Sequence, residues 1–203
     1  MKLLLFADLH SFDELNLSKI IQDFDYIIFL GDISASAMKT ILNWFPNKKS
    51  YAVLGNHDDQ DLLNSVNSFQ ALMSRFESRR YPVSPLHLVE ENLNGYKITG
   101  FDGAVESGYK KELTKTQEEA MESDIPTADI LFSHETGYHY LSDNPVHEGF
   151  HAIDQYILEK QPALHFFEHH HKDIILKKHT TICVGMYGCS IFDVDKKNII
   201  KIF

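Results

Sequence analysis

The sequence predicts an α/β fold, a four-layer α/β/β/α sandwich of two mixed sheets, from three observations. Short apolar, β-rich runs alternate with helical patterns at the start of the chain. A hairpin signal lies between two strand-like runs in the middle, and a group of closely spaced strands closes the chain. Parallel pairing in the first region and antiparallel pairing in the other two make the sheets mixed.

The first strand-like runs are Lys2 to Ala7, Tyr26 to Leu30 and Tyr51 to Leu54. Leu15, Ile20 and Ile21 give a helical pattern before the second run. Ala37, Ile41, Leu42 and Trp44 give another before the third, and Pro46 stops it. This β-α-β-α-β opening implies a largely parallel sheet with right-handed crossovers. Asn64 to Pro85 is polar, with Arg75, Arg79 and Arg80, and reads as a helix followed by a surface loop. Runs at Leu86 to Glu90 and Tyr96 to Gly100 flank Asn92-Leu93-Asn94-Gly95, a hairpin turn. Asp129 to Ser133 and Leu164 to Phe167 are further strands. Asp173 to Lys178, Thr180 to Val184, Ser190 to Val194 and Ile199 to Phe203 follow, linked by signals such as Asp195-Lys196-Lys197-Asn198. That spacing implies an antiparallel meander.

A chain of 203 residues suits one domain, 1–203, and 43% hydrophobic residues suffice for a sizeable core. Asp8 interrupts the opening apolar stretch before any cleavage site, so it reads as a strand and not a secretory signal. No apolar run approaches the roughly 20 residues that cross a bilayer. The expectation is a cytoplasmic protein with no membrane partner. Cys183 and Cys189 read as reduced thiols, although a disulfide is open to them; neither has the CxxC partner of a thiolate zinc site. A net charge of −10 repels long nucleic acids. It leaves a small anionic substrate open, because divalent cations reverse the potential locally.

Five segments place Asp, Asn or His just after an apolar strand. They are Asp8-Leu9-His10, Gly31-Asp32, Gly55-Asn56-His57-Asp58, Ser133-His134-Glu135 and Glu168-His169-His170-His171. The period of two lets Asp8 and His10 leave the same side of a strand end. Ligands gather at the carboxyl ends of strands in α/β sheets, so the five would form one cluster. Carboxylate, amide and imidazole without thiolate suit Mn²⁺, Fe or Zn²⁺. Taken singly, Asp8 and Asp32 fit helix N-caps and His134 fits a packed histidine; taken as a set, ligation is the stronger reading.

In order, these segments resemble the signature blocks DxH, GD, GNHD, H and GHxH of the calcineurin-like metallophosphoesterase superfamily. The resemblance spans Asp8 to His171 and implies a metallo-dependent phosphatase-like fold. It implies that Asp8, His10 and His171 bind one metal, that Asn56, His134 and His169 bind the other, and that Asp32 bridges them. It also implies two divalent ions (Mn²⁺, with Fe, Zn²⁺ or Ni²⁺ as alternatives) and an activated water as the in-line nucleophile on phosphorus. His57 would act beside the leaving group and Asp58 would orient it. The family's GDxxD has Ala35 in place of its second acid, which is not a ligand. Glu168 stands where the last block has glycine, implying a relaxed turn or an extra acid near the metals. His170, at the x position, should point away from its neighbours, and the triple histidine admits a different ligand assignment.

The activity this implies is hydrolysis of phosphoesters, foremost a phosphodiesterase on small or nucleotide-type substrates. Phosphomonoesterase, protein phosphatase and a non-catalytic scaffold of the same fold are the alternatives. Elsewhere blander readings prevail. His165 alternates within a strand as scaffold, and His87, His139, His151 and His179 have no partner spacing. His147, in the loop Pro145 to Gly149, is read as surface with pocket lining as the alternative. Phe12 and Tyr138 are read as site wall, with stacking on a substrate as the alternative.

Overall fold

The computed structural model describes residues 1–10, 15–58, 61–73, 82–105, 112–113, 124–138, 140 and 149–203. Phe12, Arg75, Arg79, Arg80, His139 and His147 lie outside the described residues.

The first sheet holds β1 (Lys2–Ala7), β2 (Tyr26–Leu30), β3 (Ser50–Val53), β4 (Val83–Pro85), β13 (Gly188–Asp193) and β14 (Asn198–Lys201). Its order is β14-β13-β1-β2-β3-β4. The four early strands run parallel, and β13 and β14 are antiparallel additions. The second sheet holds β5 (Glu91–Leu93), β6 (Tyr96–Phe101), β9 (Ile130–Ser133), β10 (Leu164–Phe167), β11 (Ile174–Lys178) and β12 (Thr181–Gly185). Its order is β11-β12-β10-β9-β6-β5, parallel in the middle and antiparallel at both edges. A short parallel pair, β7 (Ala104–Val105) and β8 (Glu112–Leu113), stands apart.

Period-two alternation explains the layering. In β1, Leu3, Leu5 and Ala7 join a core with Ile130, Phe132, Leu164 and Phe166 of the second sheet. Leu4 and Phe6 point the other way, onto Ala37, Met38, Ile41 and Leu42 of α1 (Ala35–Trp44) and Val66 of α2 (Leu62–Met73). The outer face of the second sheet packs Leu131, Phe167 and Cys183 under Ile153, Tyr156 and Ile157 of α3 (His151–Lys160). Strands buried on both faces read as unbroken apolar runs, as β1 does. The predicted α/β/β/α sandwich of two mixed sheets is the observed fold. Both cysteines are free and buried. No helix of the described residues is long and apolar enough to cross a membrane.

Local chemistry sets the boundaries. Ser34 caps α1, its Oγ accepting from the Ala37 N–H at 3.2 Å, and the helix ends just before Phe45-Pro46. Asn94 and Gly95 take φ of 51° and 94° in the hairpin between β5 and β6, as an Asn-Gly turn requires.

Three expectations need correction. The described residues of the first crossover hold a 3-10 turn, Leu17–Lys19, instead of an α-helix; Leu17 is buried but Ile21 is 83% exposed, so the pattern does not wrap one face. Leu86 to Glu90 is not a strand. Leu86 donates its N–H to Ala52 of the first sheet and accepts from Gly100 of the second, so this run is the bridge between sheets. The C-terminal strands form two hairpins in different sheets, β11–β12 beside β10 and β13–β14 beside β1, and not one meander.

Candidate metal centre

Every expected ligand follows the carboxyl end of a parallel strand. Asp8 and His10 follow β1, Asp32 follows β2 and Asn56 follows β3, while His134 follows β9 and His169 and His171 follow β10. The sandwich brings the ends of both sheets to one edge, and the side chains meet across the gap. Asp8, His10 and His171 form one group of donors, and Asp32, His134 and His169 form a second. Within each group, one donor atom per residue lies within 4.8 Å of the others. Asn56 joins the second group, its Oδ1 lying 3.2 Å from His134 Nε2. The first group opens to solvent through His10 and His171; the second is buried.

The backbone turns sharply to achieve this. Asp8, Asp32, His169 and His171 take φ of 56°, 53°, 73° and 51°, in the left-handed region that Asp, Asn and His enter more readily than other side chains. Gly31 precedes Asp32 at φ 96°, and a Cβ there would lie 2.5 Å from His134 Nδ1. A Cβ on Gly55 would lie 2.8 Å from the Asp32 backbone nitrogen and closer still to its carboxylate. Neither position has room for another residue.

Asp8 is buried, and neither of its oxygens accepts a hydrogen bond. Instead Oδ1 faces His10 Nε2, and Oδ2 lies 2.6 Å from His171 Nε2. Asp32 Oδ1 accepts the His57 N–H at 2.9 Å. Its Oδ2 lies 3.4 Å from His134 Nε2 and 3.9 Å from His10 Nε2, so one oxygen faces both donor groups. His169 Nδ1 lies 3.1 Å from His134 Nε2. Two buried carboxylates facing one another across a cluster of imidazoles are costly without a cation. A divalent pair is what this donor set fits, by charge and by ligand type.

A family model for the calcineurin-like phosphoesterase superfamily domain matches residues 1–186. The chain belongs to that superfamily. No curated protein matches the superfamily member in sequence. Among solved structures, a Thermus thermophilus protein is similar at a TM-score of 0.67 and 14% identity, over 98% of this chain and 96% of the other. An archaeal phosphodiesterase is similar at a TM-score of 0.53 and 13% identity, over 98% of both chains. The phosphopantetheinyl hydrolase of Mycobacterium tuberculosis is similar at 0.56 and 12%, over 92% of this chain and 89% of that one. At these identities the likeness is one of fold.

In this calcineurin-like chain, His57 is exposed at the mouth, its ring edge-on to His10 with centroids 5.2 Å apart. Asp58 holds the backbone around Asp32. Its carboxylate accepts the backbone N–H of Asp32 at 2.8 Å, Gly55 at 2.9 Å and Ile33 at 3.1 Å. It thereby ties the loops after β2 and β3 together and fixes Asp32.

Glu168 is accommodated without a left-handed backbone, which falls on His169 and His171 instead. It is an extra acid at the centre: its Oε2 lies 3.9 Å from His134 Nδ1, and both oxygens are buried without a hydrogen-bond partner. Burial, then the neighbouring Asp8 carboxylate, pushes its pKa well above the usual carboxylate range. His170 belongs to neither donor group; its Nε2 turns to within 3.4 Å of Glu135 Oε1.

Sequence reasoning gave no role to Glu135 or Tyr187. Glu135 is fully buried beside His169 and His170. Burial alone would raise its pKa; contacts with His170, His169 and the Thr136 N–H more than offset this and hold it below the ordinary range. Tyr187 stacks on His171 at 5.4 Å and 13°. No motif marks either residue, since both contacts arise only in the fold. Of the outlying residues, Tyr138 stacks on His151 at 3.6 Å, within the protein itself. His87 accepts the Asp102 N–H at 3.0 Å as scaffold, and His165 is buried.

Proposed function

We propose that this chain is a phosphoesterase dependent on two divalent metal ions, acting on small or nucleotide-type phosphodiesters. The observation that carries the reading is the pair of donor groups that meet at Asp32 Oδ2. Asp8, His10 and His171 would hold one ion, and Asn56, His134 and His169 the other, with Asp32 shared. Such a pair, when bound, polarises phosphoryl oxygens and makes water nucleophilic at neutral pH. The donor set suits Mn²⁺, with Fe, Zn²⁺ or Ni²⁺ as alternatives.

The chain's own groups supply the rest. His57, exposed beside His10, can reach a leaving oxygen and give it a proton. Asp58 and Gly55 keep Asp32 in place. A cavity of about 340 Å³ adjoins His57 and is lined by Ile33, Ser34, Asp58, Asp61, Leu62 and Ser65. With Asp58 and Asp61 in its described lining and no Lys or Arg among them, it disfavours the dianion of a monoester and supports a singly charged diester. The net charge of −10 supports exclusion of long nucleic acid, and a cytoplasmic location with no membrane partner is part of the proposal.

A hydrolysis screen with matched monoesters, diesters and cyclic nucleotides across Mn²⁺, Ni²⁺, Mg²⁺ and Zn²⁺ tests the substrate class. Diester preference is expected; a preference for monoesters or phosphopeptides would replace it with the phosphatase reading. Asp32→Ala should abolish activity and lower metal content at both sites. A variant that keeps two ions per chain would end the bridging role, and a wild-type protein without metal or activity would leave the scaffold reading.

A further inference from the structure

The two nitrogens of His169 face opposite ways. Nδ1 is 3.1 Å from His134 Nε2, inside the buried donor group, while Nε2 is 3.6 Å from Glu135 Oε2. Glu135 is itself well anchored: Oε1 accepts the Thr136 N–H at 2.8 Å and faces His170 Nε2 at 3.4 Å. The Ser133 hydroxyl donates to its backbone oxygen. One fully buried carboxylate therefore touches two consecutive imidazoles, of which the first belongs to the donor group and the second does not.

A buried carboxylate persists when it has partners, and its partners here are histidines of the loop after β10. A carboxylate behind a ligating imidazole fixes which nitrogen carries the proton, sets the ring plane and raises the donor strength of the other nitrogen. His169 sits at φ 73°, and the Glu135 carboxylate faces its Nε2 at 3.6 Å.

We infer that Glu135 is the positioning residue of the buried metal site, holding His169 so that Nδ1 faces the ion, with His170 clamping Glu135 from its other oxygen. This rests on the two-metal reading above. It acts on the buried site, because Glu135 touches His169, a donor of that group. The loop sequence Glu168-His169-His170-His171 thus divides its three histidines between two ions and a support.

The test is metal titration by calorimetry, with metal content measured in parallel, on wild type, Glu135→Ala, Glu135→Gln and His170→Ala. Wild type should bind two ions. Glu135→Ala should bind one as before and the second roughly ten- to a hundred-fold more weakly. Glu135→Gln, which keeps an acceptor oxygen but no charge, should fall between them, and His170→Ala should show a smaller loss at the same site. Nitrogen-15 spectra of the His169 ring in metal-free protein should report an Nε2–H that changes in Glu135→Ala. Should Glu135→Ala fail to fold, Glu135→Gln carries the test through the same two readouts. Two unchanged affinities, or equal weakening at both sites, would overturn the inference. Absence of metal from wild type would instead overturn the reading on which it rests.

Discussion

Asp8, Asp32, His169 and His171 carry a left-handed backbone immediately after strands, at a cost of roughly 1–2 kcal/mol per residue. The turn brings each side chain into one of the two donor groups. His165 shows the opposite use of the same residue type. It is fully buried in β10, donates to the Ser133 hydroxyl at 2.7 Å and leaves Nδ1 without a partner. Burial pulls its pKa from 6.5 down to about 3. The unfolded chain takes up a proton that the folded site refuses, so stability is fully present above pH 6.5 and falls as the pH drops toward 3. Between those limits the loss approaches about 1.4 kcal/mol per pH unit. Urea unfolding of metal-free protein at pH 7, 6, 5 and 4 should show a shallower pH slope in His165→Gln than in wild type. Parallel slopes would exonerate His165.

At the scale of elements, the site depends on two loops pressed together, those after β2 and β3. Gly55 lies against the Asp32 backbone, and Asp58 bonds across both loops. Gly55→Ala should therefore cost about 1–3 kcal/mol in stability and strip the metals by displacing Asp32. Gly95→Ala is the control: its turn also has a positive φ, but nothing lies within 4 Å of the added Cβ. It should lower stability by about 1 kcal/mol and leave metal content unchanged. What sequence could reveal divides along this line. Strand ends were legible because an apolar run followed by Asp, Asn or His reports itself locally, as at Phe29-Leu30-Gly31-Asp32. Leu86 to Glu90 misled because an apolar run does not say whose backbone it pairs with, and Leu86 bonds to both sheets. The C-terminal hairpins misled likewise, since nothing local tells β13 to leave β12 for β1. Asp58 and Glu135 were not legible in their roles for the same reason; their partners Asp32, Ile33, His169 and His170 are 25 to 35 residues away and meet them only in the fold.

At the scale of the whole molecule, a chain of net charge −10 encloses Asp8, Asp32, Glu135 and Glu168 at one edge of its sandwich. Without cations this edge opposes folding, and Asp8, whose oxygens accept no hydrogen bond, is the plainest case. Metal binding then stabilises the fold by mass action, about 2.7 kcal/mol per site at a hundredfold excess over Kd. The two effects give Asp8→Asn opposite signs under different conditions. In chelator at pH 8 the variant removes a buried charge and should melt at a higher temperature than wild type. With saturating Mn²⁺ the order should reverse, because wild type gains the full binding energy and the variant has lost a ligand. Thermal unfolding of both proteins in both buffers gives four melting temperatures, and the crossing of their order is the expected result. If Asp8→Asn melts below wild type in chelator as well, the carboxylate is satisfied by the protein alone, and the centre is built for hydrogen bonding before it is built for metal.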